Sequence, residues 1–119
     1  MDKFTITLSL CTRVKRKIFN DDSVCNYFIK KANAVALEED VVITDIRFRR
    51  GYIVILSCSI PIGLHPEKLA SRIRGATSAS IRNEFPAFNK MPSFWKKQVW
   101  WKAGTFSDGM LSEIIEYWS

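Results

Sequence analysis

The sequence predicts an α+β fold: one antiparallel sheet with helices on one face, plus a short C-terminal helix. Three observations predict it. Residues 3–10, "KFTITLSL", alternate apolar and polar without a break. Residues 41–60, "VVITDIRFRRGYIVILSCSI", read as two β-rich runs about a turn. Two stretches with helical spacing, 21–40 and 65–85, each follow a strand.

The first segment places Phe4, Ile6, Leu8 and Leu10 on one face and Thr5, Thr7 and Ser9 on the other, the pattern of a half-buried strand. A basic loop, "RVKRK" at 13–17, follows. In the first helix, Asp21, Asp22 and Ser23 supply capping groups, and Val24, Phe28, Ala32 and Val35 approximate one face. The hairpin turns at Arg50-Gly51, with Asp45, Arg47 and Arg49 on one face of its first strand and Ile46 and Phe48 on the other. Pro61 and Gly63 end its second strand.

The second helix starts near Pro66, runs Leu69, Ile73, Ala76 or Thr77, Ile81 and Phe85 down one side, and stops at Pro86. Gly75 in its interior costs about 1 kcal/mol relative to alanine, which implies a close packing partner. Residues 86–93 read as a loop and 94–106 as short strand material, split near Ala103-Gly104. A turn at Asp108-Gly109 precedes the last helix, which carries Met110, Leu111, Ile114 and Ile115. The order strand, helix, strand, strand, helix, strand is ferredoxin-like in type. A single domain over 1–119 accounts for the length, and no repeat, linker or low-complexity tract divides it.

Composition narrows the function classes. An apolar content of 47% with 25% charged residues suits one modest core, and no apolar run approaches the ~20 residues of a membrane span. The alternating start is unlike a signal peptide. Cys11, Cys25 and Cys58 form no CxxC pair, so reduced thiols in a cytoplasmic protein are expected.

The net charge of +6 has two readings, a solvated basic surface or a polyanion partner. Clustering favours the second. Arg13, Lys15, Arg16 and Lys17 lie together, as do Arg47, Arg49 and Arg50, and Lys96, Lys97 and Lys102 lie beside Trp95, Trp100 and Trp101. Basic residues interleaved with aromatics suit phosphate tracking with base stacking.

Three stretches in register carry a family resemblance: "CTRVKRKIF" (11–19), "IRGATSASIRNEFP" (73–86) and "VWWKAGTF" (99–106). The chain resembles, over nearly its whole length, the small single-tyrosine HUH transposases of insertion sequences and their REP-associated relatives. The resemblance implies a single transposase-like domain over 1–119. In that family two histidines and a later polar ligand hold a divalent metal, and a helix-borne tyrosine attacks a phosphodiester in single-stranded DNA. Phenolate attack on phosphate develops charge that a Lewis acid stabilises, and alternate strand positions put two ligands on one face.

Counting back from Gly75 and Pro61 places the family's two histidines at Ile53 and Ile55, and a slip of one residue gives Tyr52 and Val54. Isoleucine has no lone pair to offer a metal, and neither register supplies a histidine. The one histidine, His65, starts the second helix and reads as a surface or capping residue. Asp45 is the nearest carboxylate to be expected on the adjoining strand. No metal and no cofactor are therefore expected.

The resemblance puts the nucleophile at Tyr117, in "SEIIEYWS", where a plain amphipathic anchor is the other reading. Only Trp118 and Ser119 follow it, so the later polar ligand has no counterpart. The resemblance further implies nucleic-acid contacts from Arg13, Lys15, Arg16 and Lys17 and from the Arg72/Arg74 side of the second helix. It also implies a homodimer, which would cover an open sheet edge.

Three functions remain. The first is a cleavage-dead, transposase-derived protein that binds hairpin or single-stranded DNA or RNA, with a regulatory role. The second is a divergent active transposase using Tyr117. The third is an interaction protein with Ile53 and Ile55 buried beneath a helix or partner.

Overall fold

The computed structural model describes residues 2–91 and 93–119; Met1, and Pro92 of the loop expected over 86–93, lie outside the described residues. Strands β1 (Lys3–Cys11), β2 (Val42–Arg49), β3 (Ile53–Pro61) and β4 (Trp100–Ala103) form one sheet in the order β2-β3-β1-β4, every pair antiparallel. Helices α1 (Asp22–Glu38) and α2 (Pro66–Glu84) cover one face, and the short α3 (Asp108–Tyr117) lies on the other. The α+β fold with an antiparallel sheet is the one the alternation and helical spacing predict.

The strict period of β1 explains the layering. Ile6, Leu8 and Leu10 join Val54, Leu56, Cys58 and Ile60 of β3 beneath α1 and α2. From α1 come Val24, Phe28, Ala32 and Val35, and from α2 Leu69, Ala70, Ile73 and Ile81. Each fully buried branched aliphatic contributes about 1.5–3 kcal/mol. Burial alone pushes the Cys58 thiol up to about 12, and all three cysteines are free thiols. An aromatic cluster closes one end of this core, where Phe19 stacks on Trp95 at 5.8 Å and Phe28 meets both edge-on.

Local chemistry sets the element ends. Asp21 accepts from the Ser23 N–H to cap α1. His65 caps α2, its Nδ1 accepting from the Glu67 N–H at 3.1 Å, as its position before Pro66 suggests. The hairpin turn has Arg50 at φ 57° and Gly51 at φ 75°. A Cβ on Gly51 would sit 2.5 Å from Asn20 Oδ1, so both the turn and the close approach require glycine there.

Several expectations are corrected. The strand material expected over 94–106 reduces to β4 and a lone bridge between Thr12 and Trp95. Asp108-Gly109 is no separate turn. Ser107 accepts from the Met110 N–H and caps α3, so both residues fall in its first turn. Between Ala76 and Thr77, the threonine is the buried one, its hydroxyl donating to Ile73 O at 2.6 Å. Gly75 has no packing partner among the described residues: a Cβ added there meets nothing of them within 4 Å.

Candidate nucleic-acid interface

The C-terminal ends of β1 and β2 and the N-terminal ends of β3 and β4 lie at one end of the sheet, because every strand pair is antiparallel in the order given. That places three separate basic segments together. The first, after β1, begins with a 3-10 turn at Arg13–Lys15 in which Val14 and Lys15 take positive φ, and Thr12 Oγ1 donates to Arg16 O at 2.8 Å to close it. Arg13, Arg16 and Lys17 are exposed, and Lys15 lies over the Tyr52 ring at 5.9 Å.

The second segment is the β2–β3 turn with Arg49 and Arg50. The Phe19 N–H donates to Gly51 O at 2.9 Å and the Thr12 N–H to Tyr52 O at 3.0 Å, fastening this turn to the first segment. The third is 94–98. The Arg13 N–H donates to Phe94 O at 3.0 Å and the Lys96 N–H to Cys11 O at 2.9 Å, bringing Lys96 and Lys97 alongside Arg13. Two cations register on the Cys11 thiol: burial raises its pKa, while Lys96 and Lys15 pull it down. Among the described residues, none of Arg13, Lys15, Arg16, Lys17, Arg49, Arg50, Lys96 and Lys97 forms an ion pair. A cleft of about 550 Å3 opens between Arg13, Val14, Trp95, Lys96, Lys97 and Gln98.

The α2 arginines are placed differently from the loop cations. Arg72 reaches α1, 3.3 Å from Glu39 and 3.7 Å from Glu38, and ties the two helices together. The Arg74 guanidinium donates to Lys96 O at 3.1 Å and also to Lys97 O. Burial lowers its pKa, with Glu67 acting in the opposite direction. Arg74 thus anchors the lysine-bearing segment. Trp95 helps from beneath, its Nε1 donating to Thr77 Oγ1 at 3.1 Å. Trp95 is only 6% exposed, so it belongs to the core and is no platform for bases.

The remaining aromatics and cations of the interleaved stretch divide. Trp100 packs against the cluster under α3, while Trp101 is 38% exposed and meets His65 edge-on at 5.9 Å. Lys102 pairs with Glu113 of α3 at 3.0 Å, and Arg47 pairs with Asp45 at 2.6 Å and covers the Phe106 ring.

The face beneath α3 holds the positions that the resemblance assigns to metal chemistry. Ile53 and Ile55 are each 1% exposed, enclosed with Cys11, Tyr52, Met110, Ile114 and Trp118. Polar side chains beside them are internally satisfied. Trp118 Nε1 donates to Ser9 Oγ at 3.0 Å, and Ser9 Oγ donates to Val54 O at 2.9 Å. Thr7 Oγ1 donates to Gly104 O at 2.9 Å, leaving the Ser57 hydroxyl to donate to Thr7 at 3.0 Å.

A divalent metal does not fit this donor set. Two isoleucines carry no lone pair, Asp45 is engaged by Arg47, His65 caps a helix beyond Pro61, and no group of three metal-ligating side chains gathers among the described residues. Tyr117 ends α3 half-exposed, its ring edge-on to Trp118 at 4.7 Å. Lys96 lies 5.9 Å from the Trp118 ring, so the end of α3 that carries Tyr117 adjoins the basic end.

In the sequence Lys96 and Lys97 stand beside tryptophans, outside the expected nucleic-acid contacts. Their signal was charge beside Trp95, but only the long-range hydrogen bonds to residues 11–13 join them to the basic run.

The family described as Transposase IS200 like matches residues 1–117. No curated protein sequence matches the chain. Among solved structures, the fold is similar to that of a Deinococcus radiodurans R1 protein described as a transposase, with a TM-score of 0.85 at 14% identity, covering 98% of this chain and 89% of that one. It is also similar to a REP-associated tyrosine transposase bound to a REP hairpin, with a TM-score of 0.65 at 10% identity, covering 96% of this chain and 64% of that one.

Proposed function

The chain belongs to the IS200-like transposase family, and from that premise we propose that it grips nucleic acid, as hairpin or single-stranded DNA or RNA, without cutting it. The observation that carries this reading is the meeting of three basic segments at one end of the sheet. Arg13, Lys15, Arg16 and Lys17 neutralise phosphates, with Lys96 and Lys97 beside them. Arg74 supports that surface from α2 through its bonds to the carbonyls of Lys96 and Lys97, whereas Arg72 is taken up by Glu38 and Glu39 of the α1 end. The similar REP-associated transposase bound to a REP hairpin supports a hairpin as the ligand.

Ile53 and Ile55 replace metal ligands with a dry cluster, so the protein acts as a binding module with a regulatory role. It works as a homodimer in the cytoplasm. The open edges of β2 and β4 supply backbone groups that a second copy would pair.

A second reading, an active enzyme with Tyr117 as nucleophile, draws on the half-exposed position of Tyr117 near the basic end. One experiment separates the two. Labelled DNA and RNA hairpins are titrated with protein across a salt series, with and without magnesium or manganese. Salt-dependent retention of intact hairpin supports the module; a cut strand linked to protein supports the enzyme.

A further inference from the structure

Gly75 occupies the interior of a helix of 19 residues, and its missing side chain makes room for nothing among the described residues. Beside it runs a groove of about 330 Å3, lined on the α2 side by Ser71, Arg74 and Ser78 and on the other by Trp95, Lys96 and Lys97. Ser71, Gly75 and Ser78 fall at helical spacing on one stripe, so the groove floor is bare backbone flanked by hydroxyls. The groove shares Trp95, Lys96 and Lys97 with the cleft that Arg13 and Val14 line, and among the described residues no carboxylate lines either one.

We propose that this groove is a track for one sugar–phosphate backbone of the bound nucleic acid, which passes from the basic run along α2, and that Gly75 is bare so that the strand can approach the helix closely. The proposal rests on the nucleic-acid reading above. Lys97 supplies charge, the backbone of Lys96 lines the groove while its ammonium lies over Trp118, and the Ser71 and Ser78 hydroxyls supply donors to phosphate oxygens. Arg74 is a positioning residue: by donating to the carbonyls of Lys96 and Lys97 it holds the lysine wall at a fixed distance from α2. A phosphodiester fits this site because it demands positive charge, small neighbours and hydrogen-bond donors together.

The test uses Gly75→Gln, a neutral, helix-favouring substitution that fills the groove, with Gly75→Ala beside it. Replacing an exposed helical glycine raises Tm in both variants. Gly75→Gln should weaken a labelled hairpin by about tenfold, the equivalent of one charge-assisted contact, while Gly75→Ala should bind within about twofold of the parent. Higher Tm with weaker binding supports the track, since a merely structural role would move both the same way. Gly75→Gln with parental affinity overturns the track while leaving the nucleic-acid reading intact. A fall in Tm overturns it too, by showing that the groove is needed inside the fold. Failure of the parent protein to hold any hairpin overturns both readings together.

Discussion

Cys11 pairs with Ile53 across the sheet, and Thr12 and the basic run follow directly. Within a few residues the molecule changes from a closed apolar cluster under α3 to an exposed set of cations. The two regions obey opposite physical demands. Beneath α3, the side chains of Thr7, Ser9, Ser57 and Trp118 beside Ile53 and Ile55 bond to one another or to the backbone of the chain. At the basic end, charges from three segments converge with no ion pair among the described residues, and electrostatic self-repulsion is tolerated that a phosphate partner would relieve. Under the proposed function, gripping is separable from cutting in this fold, because the basic end and the cluster under α3 occupy adjoining surfaces.

Substitutions that strike one region and spare the other test that separation. Replacing Lys15, Arg16 and Lys17 together with alanine should weaken hairpin binding by about 100-fold at moderate salt and flatten the log-affinity versus log-salt slope by roughly 2 to 3 units. Thermal stability should hardly move, because Arg16 and Lys17 are exposed and Lys15 makes only a weak contact with Tyr52. Filter retention over a salt series, with a melting curve of the same preparation, checks both halves.

The opposite response is expected from Ile55→Ala. It opens a cavity beneath Met110 and Ile114 and should destabilise the fold by about 2–5 kcal/mol in urea titration, with hairpin affinity unchanged under conditions where the variant is folded. A loss of affinity comparable to that of the triple variant would show that the two regions are coupled.

The extent to which the sequence revealed each region follows from the range of the interactions involved. Period-two alternation is local, so the two faces of β1 and the burial of Ile53 and Ile55 were legible, and so was His65 as a cap before Pro66. The basic run was legible as an exposed loop because nothing apolar interrupts it except Val14. Residues 94–99 were not. Their β-like composition serves the core through Phe94 and Trp95, and their backbone is fixed by Arg74 and by residues 11–13, distant in sequence. The sequence likewise sets Arg72 beside Arg74 among the expected nucleic-acid contacts, whereas packing of α2 on α1 brings it against Glu38 and Glu39. The bareness of Gly75 suggested a packing partner, and only the groove shows that none is present among the described residues.

Smaller effects sharpen the comparison. Trp118→Phe removes the N–H that Ser9 accepts, while Ser9 keeps its own bond to Val54 O. It should destabilise by about 1 kcal/mol, measured by denaturant midpoint, and it should also remove part of the ring beneath Lys96, with an affinity change of less than about threefold. Tyr117→Phe deletes a hydroxyl that makes no hydrogen bond among the described residues, so both stability and affinity should stay within error in the same assays.

The claim that the chain grips without cutting is tested most directly by incubating the protein with a labelled hairpin carrying a single-stranded flank, in magnesium and in manganese, and resolving the products under denaturing conditions. Intact strand and no covalent protein adduct, alongside salt-dependent retention of the same hairpin, is the predicted result. A cleaved strand linked to protein that disappears in Tyr117→Phe would contradict the account and return the chain to the active transposases.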